Sequence, residues 1–272
     1  MKKKSFIKRI IIAIIIILIA ATAWFEVPVT EHINIDSSGK LTNPVRVALI
    51  TDLHSCYYGD KQKTLTKMID KENVDAVFLA GDIFDDRMAD NNSKALIEQI
   101  APKYPCYYVV GNHEYWSGRL QQIKDYMISN GVTVLEGTSS ELAVNGNIID
   151  VSGVDDPTDM SLYEWEKQME SASTTSDNFK ILLSHRPEGI EIYKKYDFDL
   201  VVTGHAHGGQ WRIPFTGYGM YAPDQGLLPK YVDGVYDLSD KAKMVVSRGL
   251  ARERMPFPRF FNHPEIVIIE ID

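Results

Sequence analysis

Residues 45–54 read Val45-Arg46-Val47-Ala48-Leu49-Ile50-Thr51-Asp52-Leu53-His54, a short apolar run that ends in an Asp-x-His triplet. A run this short, with no alternating polar face, reads as a strand buried on both sides, and such strands sit in sheets covered by helices. The next segments keep that rhythm. Helical patterns at 61–71, 93–101 and 119–130 alternate with apolar strands at 76–80 and 106–110. This order predicts an α/β fold with a largely parallel sheet and right-handed crossovers.

Beyond Gly131 the pattern changes. Strands are expected at 132–136, 140–144 and 148–153, the last two joined by the hairpin signal Asn145-Gly146. A helix at 162–169, strands at 180–184 and 200–203, and strands at 245–248 and 266–271 complete the chain, with a short helix after Pro187. Upstream, Val27, Val29, Ile33 and Ile35 fall on alternate positions and predict a further strand. The total exceeds what one sheet comfortably holds.

The chain has 272 residues, 44% hydrophobic and 24% charged, which suits one large globular domain or at most two small ones. Only the N-terminus departs from that composition. Lys2, Lys3, Lys4, Lys8 and Arg9 precede an uncharged, isoleucine-rich run over residues 10–25. A basic flank before an apolar run is a membrane anchor or a signal peptide. Its 16 residues are slightly short of the ~20 that span a bilayer, but Trp24 suits the headgroup level. Retention as a single transmembrane helix is therefore favoured, with the rest of the chain outside the cytoplasm by the positive-inside rule. The alternative is secretion after cleavage near Ala23, where Ala21-Thr22-Ala23 has the small-residue pattern of a cleavage site. On this reading residues 1–25 form the anchor or signal segment, and residues 26–272 the folded domain.

Setting the first nine residues aside leaves 24 of the 29 basic residues facing 37 acidic ones, about −13. A body so acidic repels nucleic acid, so no such partner is expected; nor is an obligate protein partner evident. The two cysteines, Cys56 and Cys106, fall at opposite ends of neighbouring predicted strands. At ~3.3 Å per residue they stand too far apart for a disulfide.

The chemistry gathers where strands end. The strand at 45–51 runs into Asp52 and His54, and that at 76–80 into Gly81-Asp82. The strand at 106–110 runs into Gly111-Asn112-His113-Glu114, 180–184 into His185, and 200–203 into Gly204-His205-Ala206-His207. Carboxyl ends of strands face the ligand crevice of α/β sheets, so these side chains should converge. Taken singly, each has a bland reading: Asp-x-His or Gly-Asp is commonly a turn or a helix cap, and an isolated histidine a satisfied polar residue. The ordered set is harder to obtain by chance. Imidazole, carboxylate and amide oxygen together suit manganese, iron or zinc, and with no thiolate in the set a structural zinc knuckle is excluded. Seven such donors exceed one ion's need but fit two divalent ions that share a bridging carboxylate, with Asp82 placed for that role.

The five blocks, in this order, resemble the calcineurin-like metallophosphoesterase superfamily. The resemblance implies a four-layer α/β/β/α sandwich of two mixed sheets, after the N-terminal helix. It implies one metal on Asp52, His54 and His207, a second on Asn112, His185 and His205, and Asp82 bridging both. His113 then serves the substrate phosphate or the leaving oxygen, with Glu114 as its orienting neighbour. The implied reaction is hydrolysis of a phosphodiester or pyrophosphate bond by a hydroxide held between the metals. The anchor, the Gly204–Gln210 block and Pro258-Arg259-Phe260-Phe261-Asn262-His263-Pro264-Glu265 are similar to a membrane-associated bacterial branch that includes UDP-2,3-diacylglucosamine pyrophosphatases. That points to an envelope or lipid-linked substrate. Phosphomonoester or nucleotide hydrolysis, or a non-catalytic binding module, are the alternatives. An amide or lactam hydrolase would need His-x-His-x-Asp-His or His-Glu-x-x-His, and neither occurs.

Two further features stand out. Arg248, Arg252, Arg254 and Arg259 offer bidentate donors to a phosphate, with Arg248 the candidate because it ends a predicted strand; a salt-bridged segment is the equal alternative. Trp211, Phe215, Tyr218 and Tyr221 follow the last ligand block, and core packing is the expected role for most of them.

Overall fold

A computed structural model describes residues 6, 8–12, 14, 27–214, 216–252 and 258–272. Two six-stranded mixed sheets form its centre. The first contains β1 (Val29–Ile35), β2 (Val45–Ile50), β3 (Ala76–Ala80), β4 (Cys106–Val109) and β5 (Thr133–Val134). The second contains β6 (Thr138–Val144), β7 (Asn147–Gly153), β8 (Phe179–Leu183) and β9 (Leu200–Thr203). A small hairpin pairs β10 (Tyr221–Ala222) with β11 (Gly226–Leu227). The second sheet is completed by β12 (Gly234–Asp237) and β13 (Lys243–Val246), and the first by β14 (Glu265–Ile271).

In the first sheet β2, β3, β4 and β5 run parallel, as expected from the alternating pattern. The chain's last strand supplies what the pattern could not indicate. β14 inserts between β1 and β2, parallel to the former and antiparallel to the latter, so Val29 pairs with Glu265. In the second sheet β7, β8, β9 and β13 run parallel, and β6 and β12 close the edges antiparallel.

Burial explains the sequence patterns. β2 and β3 are apolar throughout because both faces are covered. Val47, Leu49 and Phe78 face Val151, Ile181 and Val202 across the space between the sheets. On the far side of the first sheet, Ala48, Ile50, Val77 and Leu79 pack against α1 (Lys63–Glu72), α2 (Asn91–Ile100) and, beyond the short α3 (Asn112–Trp116), α4 (Leu120–Ser129). The far side of the second sheet buries Leu182, Val201 and Met244 under α5 (Leu162–Ala172) and α6 (Ile190–Tyr193). The layers therefore run α/β/β/α.

Some element boundaries depart from the sequence reading. The strand expected over 132–136 shrinks to the two residues of β5, because Val132 closes the C-terminus of α4 by donating its N–H to Met127. α3 and β10 to β12 were not anticipated. Cys56 and Cys106 are both buried thiols that no disulfide joins.

Among the described residues no helix is long and apolar enough to cross a membrane. Residues 8–12 are helical, but most of the 10–25 run, including the Ala21–Ala23 site and Trp24, lies outside the described residues. The same holds for Phe215 and Arg254.

Candidate metal centre

The carboxyl ends of β2, β3, β4, β8 and β9 meet at one edge, where the sandwich is capped by five turns. The turns after β2, β3 and β9 bend sharply. Asp52, Asp82, His54, His205 and His207 all have positive φ, between 47° and 64°. Non-glycine residues rarely adopt this conformation, and its concentration at one place marks a constrained site. Neighbouring glycines make room for it. A Cβ at Gly81 would lie 2.4 Å from His185 Nδ1, and one at Gly111 would lie 2.3 Å from Asp82 Oδ1.

The seven predicted ligands come together there, all buried to 5% exposure or less. Donor atoms of Asp52, His54 and His207 lie within 4.8 Å of one another, as do those of Asp82, His185 and His205. Asp82 stands between the two groups: its Oδ2 is 3.2 Å from His185 Nε2 and 3.6 Å from His54 Nε2. His185 Nε2 is also 3.2 Å from His205 Nδ1, and His207 Nε2 is 3.7 Å from Asp52 Oδ1. The placement of Asn112 at the first turn of α3 brings its side chain to the same cleft.

The donor set fits divalent cations on a direct test. His54 Nε2, Asp82 Oδ2, Asn112 Oδ1 and His207 Nδ1 are buried and make no hydrogen bond. A buried polar atom without a partner is costly, and four such atoms on residues of one cluster point to cations as the missing partners. The other ring nitrogens fix orientation. His185 Nδ1 donates to the Ala80 carbonyl at 2.9 Å, which turns Nε2 inward. His54 Nδ1 pairs with Asp85 Oδ2 at 3.1 Å, which does the same for its Nε2.

Electrostatics agree. Burial opposes a charge on His185, but Asp82 and Asp52 outweigh it and raise its pKa to about 10. Burial would raise the Asp82 carboxyl, yet His185 and His54 hold it well below the carboxylate range. The buried carboxylates thus create a field that favours cations, and dications compete with protons for the imidazole nitrogens. Asp85→Ala removes the support behind His54 and should weaken metal binding about 10–100-fold, measured by competition with a chromogenic chelator.

His113 sits beside the cage. Its Nε2 is 4.0 Å from Asp82 Oδ2 and faces the cleft, while its Nδ1 pairs with Asp86 Oδ1 at 2.7 Å. Burial lowers its pKa, with Asp82 and Asp86 opposing and His54 adding to the fall. Asp86 is therefore the orienting group, where the sequence suggested Glu114. Glu114 does something else: it accepts the backbone N–H groups of Gly111, Asp82 and Phe84 at 2.9–3.0 Å. It ties the β3 and β4 turns together.

Of the two readings of Arg248, the structure shows the salt-bridged one. Its guanidinium is held by Glu265, with Nε donating to Oε2 at 2.6 Å, and it does not line the cleft. The cleft has a volume of about 790 Å³, and its arginine is Arg186. Arg186 Nη2 donates to Asp156 Oδ1 at 2.9 Å, and Nη1 bonds Asp224 and, at 2.9 Å, His205 Nε2. Asp156 is almost fully buried. Arg186→Ala should therefore cost about 3–5 kcal/mol, because it strands that carboxylate; urea denaturation checks this. The sequence reading missed Asp85, Asp86 and Arg186. Their signal was proximity, since each lies within four residues of a ligand on the same turn.

Known proteins place this geometry. The chain is 28% identical over 272 residues to an uncharacterized metallophosphoesterase of Campylobacter jejuni, Cj0846, covering 96% of this chain and 68% of that protein. It is 28% identical over 242 residues to a metallophosphoesterase of Helicobacter pylori strain J99, spanning 85% of this chain and 61% of that protein's length. Among solved structures, TT1561 of Thermus thermophilus superposes with a TM-score of 0.52 at 13% identity, covering 76% of this chain and 91% of that one, a likeness of fold. Residues 45–209, from the start of β2 to just past the last predicted ligand, match the calcineurin-like phosphoesterase family. With that match over most of the sandwich and the donor set gathered at its edge, the chain belongs to the calcineurin-like phosphoesterases, metal-dependent hydrolases of phosphate esters.

Proposed function

We propose that this chain hydrolyses a phosphodiester or pyrophosphate bond of an envelope or lipid-linked substrate, at the extracytoplasmic face of the cytoplasmic membrane. The carrying observation is the group of four buried, unpartnered donor atoms around Asp82. Asp52, His54 and His207 would hold one divalent ion, Asn112, His185 and His205 the other, and Asp82 both. Divalent ions bound there would supply Lewis-acid charge to the phosphoryl oxygens and lower the pKa of a water nucleophile. The chain's own part is to orient and to move a proton. Asp82 Oδ1 accepts the His113 N–H at 2.9 Å, which fixes the start of α3 relative to the cage. His113 Nε2 gives a proton to the leaving oxygen, and Asp86 at Nδ1 favours the imidazolium that donates it. Trp116, Pro157, Tyr221 and Pro223 line the cleft beside these groups.

The anchor reading of residues 10–25 supports the choice of substrate, because a tethered site meets lipid headgroups first. Phosphomonoester or nucleotide hydrolysis is the second reading. Purified full-length protein, assayed on bis-p-nitrophenyl phosphate, p-nitrophenyl phosphate, a pyrophosphate diester and an anilide, separates the classes. The diester or pyrophosphate should turn over, and a chelator should stop it until manganese, iron or zinc is restored. Preference for the monoester overturns the substrate class; turnover of the anilide alone overturns phosphoester chemistry.

A further inference from the structure

Of the fifteen large apolar side chains exposed on the described residues from 27 onward, eight fall between Trp211 and Val235. That density is unlike the rest of the described surface, where such residues stand singly apart from the pair Leu162 and Tyr163. The sequence reading assigned most of this segment's aromatics to the core, yet Tyr218 is 65% exposed, Leu227 78% and Leu228 66%. The segment follows ligand His207 directly, carries the β10–β11 hairpin, and reaches the cleft through Tyr221. Beside it lies a second groove of about 890 Å³, lined by Ile213, Tyr218, Leu228, Val232 and Val235 among others.

The chain enters the sandwich at this same end. β14 is antiparallel to β2, so its first residue, Glu265, lies by the ligand-bearing end of β2; β1 is parallel to β14 and begins opposite Glu265. His263 Nδ1 is 3.3 Å from the Val27 carbonyl, and its neighbour Asn262 donates to the His207 carbonyl at 2.7 Å. Trp211 packs edge-on against Phe260, with ring centroids 5.3 Å apart. Residue 27, the metal edge and the apolar segment are thus linked by direct contacts. The uncharged run at 10–25 ends only two residues before Val27.

We infer that the exposed apolar side chains described between Trp211 and Leu228 lie in the interfacial layer of the bilayer, beside the point where the chain leaves it, so that the metal cleft opens at headgroup level. This rests on reading residues 10–25 as a membrane anchor. Aromatic and leucine side chains suit that layer, with ring bodies in the acyl boundary and hydroxyls in water. The acidic body argues for apolar insertion, not attraction to anionic lipid.

The test uses the full-length chain in phosphatidylcholine vesicles. Cys56 and Cys106 are buried, so an environment-sensitive fluorophore goes to the introduced thiol of Leu227→Cys, or of Leu228→Cys if the first variant lacks diester hydrolysis. Ile128→Cys, exposed near the C-terminus of α4 at the opposite end of the sheet, is the control. The Leu227 probe should blue-shift and lose about half its emission to headgroup-proximal spin-labelled lipid, as a side chain buried roughly 5–10 Å would. The Ile128 probe should do neither. Equal, weak quenching at both sites in protein that floats with the vesicles overturns the docking face and leaves the anchor standing. Protein that does not float overturns both. A blue shift in detergent that grows with protein concentration assigns the face to a second copy and overturns the lipid assignment.

Discussion

Asp82→Ala is expected to lose both metal ions and hydrolysis together. Elemental analysis should fall from about two equivalents per chain to below one, and turnover of a diester by on the order of 10³-fold or more, the scale on which a principal electrostatic group of a transition-state clamp counts. The reason is position. Asp82 Oδ2 is the only carboxylate oxygen within 4 Å of both His54 and His185 among the described ion pairs, and it has no hydrogen-bond partner of its own. Two dications placed a few ångströms apart repel strongly in a buried site, and an anion between them is what makes their proximity tolerable. Asp82→Asn, which keeps shape but not charge, should follow the alanine variant. Circular dichroism guards against a trivial cause. A folded Asp82→Ala protein with normal turnover would remove the basis for a shared carboxylate.

His113→Ala should separate the two properties that Asp82→Ala joins. Metal content should stay at wild-type level, because the imidazole is turned to the cleft and held from behind by Asp86. Hydrolysis should fall about 10²–10⁴-fold, the range for loss of a positioned acid. The loss should shrink for substrates with a good leaving group such as p-nitrophenolate, which needs little protonation. Loss of metal in this variant would instead make His113 a ligand. An equal loss for good and poor leaving groups would assign it to phosphate binding.

The fold and the gathering of the site residues were legible for one physical reason: parallel strands buried on both faces put their following turns on a common edge. Val45–Ile50 and Ala76–Ala80 therefore announced both a sheet and the location of Asp52 and Asp82. What the sequence hid required long-range or rotational information. β14 joins the first sheet across more than 200 residues, so no local pattern could reveal that it separates β1 from β2. The sequence offered its neighbour Glu114 as the partner of His113 and gave no sign of Asp86; the helix carries Glu114 back toward three backbone N–H groups and leaves Nδ1 to Asp86. Arg248, expected to end a strand, lies two residues past β13, where Glu265 of β14 holds it. Most of the large apolar side chains described between Trp211 and Leu228 are exposed, although their types suit a core. Composition alone does not distinguish a buried face from one covered by a lipid layer.

Crystals grown with Mn²⁺ and measured at the manganese absorption edge test the two-cation cage most directly. Two anomalous peaks should appear about 3.5–4 Å apart, one among Asp52, His54 and His207, the other among Asn112, His185 and His205, with the Asp82 carboxylate between them. A single peak, or peaks lying outside these seven side chains, would contradict a dinuclear centre.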